Sequence, residues 1–207
     1  MTDIFQEVDE EVRHERYKQL WKKYGWVVVV AALALIIGVG GYEAWKAYRQ
    51  DRQLEEAARY GEAMGTIQNG DLEAGIAAMS SLAEEGAYGY AQLAAFEAAR
   101  ALVEAGRIEE AVAAYRGIAS NSGYDDSLRD MARLLAVMHG IGREDPAGLQ
   151  GEIAALTGDD SPFRPAALEL SALLALEPGD RATARQRYAA IAGDPGAPQG
   201  HRTRATQ

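Results

Sequence analysis

The sequence predicts an all-α protein: a single N-terminal transmembrane helix followed by an α-solenoid of about four helical hairpins. Three observations carry this reading. An uncharged run extends for nineteen residues from Tyr24 to Tyr42. A glycine-led pattern recurs in three places at offsets of 36 and 73 residues. No stretch shows the two-residue alternation of a half-buried strand. The organisation follows as a leader over residues 1–23, a span over 24–42, a helical-repeat domain over 43–193 and a disordered tail over 194–207.

Nineteen residues at the helical rise cover about 29 Å, close to the hydrocarbon thickness of a bilayer. No face of the run carries the polar stripe expected of a soluble core helix. Trp21, Tyr24 and Trp26 stand at one end and Tyr42 and Trp45 at the other, where amphipathic rings favour the headgroup zone, and Lys22 and Lys23 abut the start. The preceding segment carries six acids, unlike the short basic region of a cleaved export signal, so the run is read as an uncleaved anchor. The paired lysines place the N-terminus in the cytoplasm and the C-terminal body across the membrane. Within the leader, Ile4, Phe5, Val8, Val12 and Leu20 recur at mostly helical spacing behind Asp3 as N-cap, which predicts a short amphipathic helix.

Lys and Arg number 21 against 31 Asp and Glu, and from residue 43 onward the balance is 16 to 25. An acidic body argues against nucleic acid as a partner. There is no cysteine, which excludes disulfides, thiol catalysis and thiolate metal sites. The Ala and Arg enrichment is read as coding bias.

The repeat begins at Gly70, Gly106 and Gly179. Five residues on stand Gly75, Ala111 and Ala184, and nine on stand Met79, Tyr115 and Tyr188. Glycine ends one helix in a left-handed turn, the small residue lets the next helix approach, and the large residue one turn later fills the gap. The pattern resembles the tetratricopeptide repeat, most closely at Gly106, Ala111 and Tyr115. Gly75 and Met79 depart from it, and no copy has the closing proline. The hairpins are expected at 47–69 with 71–85, 88–105 with 107–120, 124–140 with 145–157, and 162–177 with 179–192. The third rests on spacing and on the Asp145-Pro146 helix start, without a clean register. No proline precedes residue 146, so a helix continuous from the span into the first hairpin is expected. By the tetratricopeptide register the concave face is lined by Tyr60, Met64, Ile67, Phe96, Arg100, Val103 and Glu104, a candidate protein-binding groove.

Catalytic constellations are absent from the pattern. His14, His139 and His201 are the whole histidine supply, in the leader, at a helix end and in the tail, and cannot converge on a metal. Asp125-Asp126 and Asp159-Asp160 flank helix starts, where capping accounts for carboxylates. No phosphate-binding glycine loop, serine elbow or HExxH motif occurs. No enzyme activity, cofactor, metal or small-molecule substrate is expected.

The DIFQEVDEEV leader, the KKYGW start of the span, the GYEAWKAY exit and the degenerate four-hairpin body together resemble the YfgM-like family, ancillary subunits of the Sec translocon. That resemblance implies a bacterial inner-membrane protein with a periplasmic domain. It also implies association with the SecYEG channel and periplasmic chaperones, assisting newly exported proteins, with no catalytic residues. The residues alone support a bilayer-tethered helical-repeat adaptor. A scaffold for another cell-envelope complex, or an exported soluble binding protein if the run were cleaved, would share those features.

Overall fold

A computed structural model describes residues 3–87 and 89–206, with side chains at Lys18 and from Trp21 onward. The leader's apolar residues and His14 therefore lie outside the described side chains. Helix α1 runs from Asp3 to Gln68 and is followed by α2 (Leu72–Glu85), α3 (Gly89–Glu104), α4 (Ile108–Ser120) and α5 (Asp126–Gly140). Next come α6 (Pro146–Ile153) with a 3-10 turn, η1 (Ala154–Thr157), then α7 (Arg164–Leu176), α8 (Arg181–Ala192) and α9 (Gln199–Ala205). Among the described residues there is no strand. The chain divides into two units, Met1–Leu54 and Glu55–Gln207. The boundary falls inside α1; its continuity from the span to Gln68 is as expected, whereas the leader, expected as a separate short helix, is instead part of the same one.

In the first unit the apolar run is a helix exposed on every side: Trp26 is 68%, Leu35 68% and Ile37 73% exposed. A core helix of a soluble domain would hide such side chains against neighbours.

The second unit is four hairpins followed by α9; the second to fourth hairpins lie within a few residues of the expected limits, while the first helix of the first hairpin has no separate start near residue 47 because it is the end of α1. The unit's core is a chain of overlapping clusters. Ala63 and Ile67 of α1 pack with Ile76, Met79 and Leu82 of α2 and with Ala94, Ala98 and Leu102 of α3. Ala99 of α3, Val112 and Tyr115 of α4, and Ala132 and Ala136 of α5 form the next cluster. Val137, Leu149, Ile153, Leu156, Leu170 and Leu174 continue it through α5, α6, η1 and α7. Each hairpin thus buries its apolar face only by stacking on its neighbours, which is the energetics of a solenoid. The alanines have a mechanism after all: Ala94, Ala99, Ala101, Ala111, Ala132, Ala136 and Ala172 are fully buried at helix contacts, where small side chains permit close packing.

The turns repeat with backbone detail. Gly70, Gly106 and Gly179 have φ of 90°, 76° and 89°. In each, the next residue's N–H reaches back five residues: Asp71 to the Thr66 carbonyl at 3.2 Å, Arg107 to Leu102 at 2.9 Å and Asp180 to Ala175 at 2.9 Å. This is the Schellman closure that left-handed glycine permits. Asp71 and Asp180 then cap α2 and α8 through Ala74 N–H (3.2 Å) and Thr183 N–H (3.0 Å).

The missing register of the third hairpin resolves at Gly142, whose φ is 73°. It lies 36 residues beyond Gly106 and 37 before Gly179. The N-cap, however, is Asp145, three residues after the glycine instead of one. Counted from the caps, the positions held by Gly75, Ala111 and Ala184 correspond to Leu149, and those held by Met79, Tyr115 and Tyr188 to Ile153. Both are buried, at 1% and 0% exposure. Large Leu149 at the small position is accommodated because Gly140 on α5 carries no side chain: a Cβ there would lie 3.0 Å from Leu149 Cδ2. The first hairpin reverses the arrangement, with Ile67 large on the first helix and Gly75 small on the second.

The tail expected to be disordered is ordered instead. Ala197 is buried against Leu168 and Ile191, and Ala205 packs on the same cluster. Glu169 of α7 accepts two bonds from Arg204, at 2.6 and 2.8 Å, and stands 2.6 Å from His201 Nδ1. Pro195, Gly196 and Pro198 shape the turn between α8 and α9, while Gly200 lies within α9; the apolar contacts are two alanines, too weak a signal to read from sequence.

Candidate functional site

The residues expected to line a groove divide into three groups. Ile67 is 4% exposed and packs into the first core cluster, so it is a core side chain and not a lining one. Tyr60, Met64, Phe96 and Val103 are half-buried at the rims of the clusters. Arg100 and Glu104 are exposed and pair with each other at 2.9 Å, while Arg100 Nε also donates to Glu97 at 2.7 Å.

What brings these together is one face of α3. Tyr90, Leu93, Glu97, Arg100 and Glu104 follow helical spacing, and Leu93 is 52% exposed. Tyr60 of α1 lies against Tyr90 with ring centroids 5.8 Å apart. On the other flank Phe96 meets Tyr115 at 6.3 Å, and Tyr115 stacks on His139 of α5 at 5.9 Å. The charged ridge is therefore flanked by Tyr60 of the first hairpin on one side and, on the other, by Phe96 over the buried Tyr115 of the second hairpin, on which His139 of the third stacks. Burial pushes the Tyr60 and Tyr115 phenols up, and the Glu97 charge adds to this in both. The His139 imidazole is held below its ordinary range, by burial first and by Arg143 second. Tyr90 and Glu97 were not singled out in the sequence, and His139 was noted only as a histidine at a helix end, although the spacing from Glu97 to Arg100 and Glu104 placed Glu97 on the same face.

Several of the body's arginines tie separate elements together. Arg116 of α4 bonds Glu144 at 2.6 Å and Glu152 at 2.7 Å, clamping the α5–α6 loop and α6. Arg107 joins Glu73 of α2 to Glu110 of α4, and Arg59 joins α1 to Glu85. Glu56 is buried on α1, and its Oε1 accepts the Ala87 N–H at 2.9 Å, fixing the turn between α2 and α3. Among the described residues, no group of three or more His, Cys, Asp and Glu is placed to hold a metal.

A stack of helical hairpins displaying a mixed aromatic and charged helix face defines a class of protein-interaction scaffold, typically non-catalytic. The chain matches the family model described as tetratricopeptide repeat-like domain over residues 18–203, and it belongs to that family. The match takes in the apolar helix as well as the hairpins. No curated protein and no solved structure matches the chain significantly.

Proposed function

We propose that this chain is a membrane-anchored adaptor of the bacterial inner membrane, its N-terminus cytoplasmic and its hairpin domain periplasmic. In this reading it assists protein export or periplasmic folding at the Sec translocon by binding SecYEG and periplasmic chaperones. The observation that carries the anchor is the exposed, uncharged helix from Tyr24 to Tyr42, for which a bilayer is the natural surrounding. Its assignment to the translocon rests on the likeness of the leader, span and body to the YfgM-like family. The docking surface is the α3 face with Tyr60, Met64, Phe96, Arg100, Val103 and Glu104, the exposed Leu93 supplying apolar contact beside the Arg100 ion pairs. No cofactor, nucleic acid or small-molecule substrate enters this reading.

The test is affinity isolation in mild detergent with photocrosslinking residues placed in the span and at Leu93 and Arg100. Crosslinks to channel subunits from the span and to chaperones or exported chains from α3 are expected. Recovery of neither defeats the translocon assignment. Crosslinks to division or outer-membrane assembly proteins instead would favour the alternative, a scaffold for another envelope complex.

A further inference from the structure

The two ends of the apolar helix differ in charge and in construction. Beyond its end at Tyr42, Lys46, Arg49 and Arg52 alternate with Glu43, Asp51 and Glu55, and the Arg49 guanidinium lies over the Trp45 ring at 4.6 Å. At the leading end no carboxylate occurs between Glu15 and Glu43, while Lys18, Lys22 and Lys23 are all exposed. Lys18, Lys22 and Trp26 are spaced by four residues and so share one helix face, two cations followed by an indole that is 68% exposed. The Lys23 ammonium stands 5.4 Å from the Tyr24 ring.

One residue here breaks the pattern of exposure. From Trp21 to Tyr48 every residue is exposed except Gly25. The Trp21 indole lies flat against it, so that a Cβ on Gly25 would stand 3.3 Å from Trp21 Cε2. The glycine is a seat that holds one indole along the helix at the border between lysines and apolar run. Indole rings partition to the headgroup level, and a compact ammonium on a flexible stem reaches phosphate as a point charge.

We propose that Lys18, Lys22 and Lys23, with Trp21 and Trp26, form a headgroup site for anionic phospholipid at the leading end of the span. The occupant is the phosphodiester of a net-negative lipid, because three cations beside an apolar helix, with no carboxylate from residue 16 to residue 42, complement that surface. The inference rests on the anchor reading. Each lysine near an anionic bilayer surface contributes about fivefold in affinity, so selectivity for negative lipid belongs to this end and not to the other.

The test uses the full chain with Trp45→Phe, leaving Trp21 and Trp26 as reporters, in phosphatidylcholine bilayers. Fluorescence quenching is compared for brominated phosphatidylglycerol and brominated phosphatidylcholine at equal mole fraction. Stronger quenching by the anionic lipid is expected, with the preference reduced toward unity by K22Q/K23Q or by high salt, and kept by K46Q. Equal quenching by the two lipids, or a preference that survives K22Q/K23Q, overturns the headgroup site and leaves the anchor intact. Absence of quenching by either lipid overturns the anchor itself.

Discussion

A methyl group on Gly75 would stand 2.3 Å from Ile67 Cγ1, well inside van der Waals contact, so the close approach of α1 and α2 requires glycine there. Gly75→Ala is expected to destabilise the hairpin domain by about 1–3 kcal/mol through overpacking. Ile67→Ala alone is expected to cost about 2–4 kcal/mol from the cavity it leaves. Because the two changes share one contact, the double variant should lose less than the sum by at least about 1 kcal/mol, measured by urea denaturation. Additive losses would show that the contact does not limit the packing. This pair also shows how far single residues were legible. The departure of Gly75 from the repeat pattern was visible in the sequence, whereas its partner Ile67 looked like a groove residue, since periodicity alone does not tell a core side chain from a lining one. Gly142 was legible in principle at the 36-residue spacing, but the two extra residues before its cap displaced every buried position after it.

Among the elements, α9 was the least legible and has the clearest energetic role. It covers Leu168 and Ile191, which would otherwise end the stack as exposed apolar surface, and it is fastened at Glu169. The long helices announced themselves through the repeat spacing and, in the third hairpin, through the Asp145-Pro146 start, while a seven-residue helix held by two alanines and three polar side chains had no such signal. Removing residues 196–207 is expected to cost about 2 kcal/mol from re-exposed Leu168 and Ile191. In a solenoid the loss stays local, so amide exchange should quicken in α7 and α8 and remain unchanged in α2 and α3. Glu169→Gln, which keeps the helix but weakens the Arg204 and His201 contacts, is expected to cost about 1 kcal/mol. Uniform loss of protection across all hairpins would instead mean that the domain unfolds as one cooperative block.

On the scale of the whole molecule the charge is unevenly placed: residues 1–54 carry eight acids and eight bases, while residues 55–207 carry 23 acids against 13 arginines. Much of that acidity is held by the arginine ties, which makes the hairpin domain sensitive to pH in a definite direction. Hydrogen bonding by Arg204, then by His201, holds the Glu169 carboxyl below its ordinary range, and Arg59 does the same for Glu85. A carboxyl depressed on folding binds fewer protons than in the unfolded chain, so its contribution is complete above the ordinary carboxylate range, about 4.3, and is lost as pH falls through the folded value. His139 is depressed too, but its ordinary value is higher, and burial against Tyr115 disfavours the imidazolium. Its contribution is complete above about 6.5 and begins to fade below that pH. Thermal unfolding of the domain is therefore expected to be nearly flat in Tm near pH 7–8, to fall gently below about 6.5 and to fall more steeply near 4. His139→Phe keeps a ring against Tyr115 while removing the titrating group, and should abolish the first step and leave the second. If the step near 6.5 persists in that variant, the assignment to His139 fails.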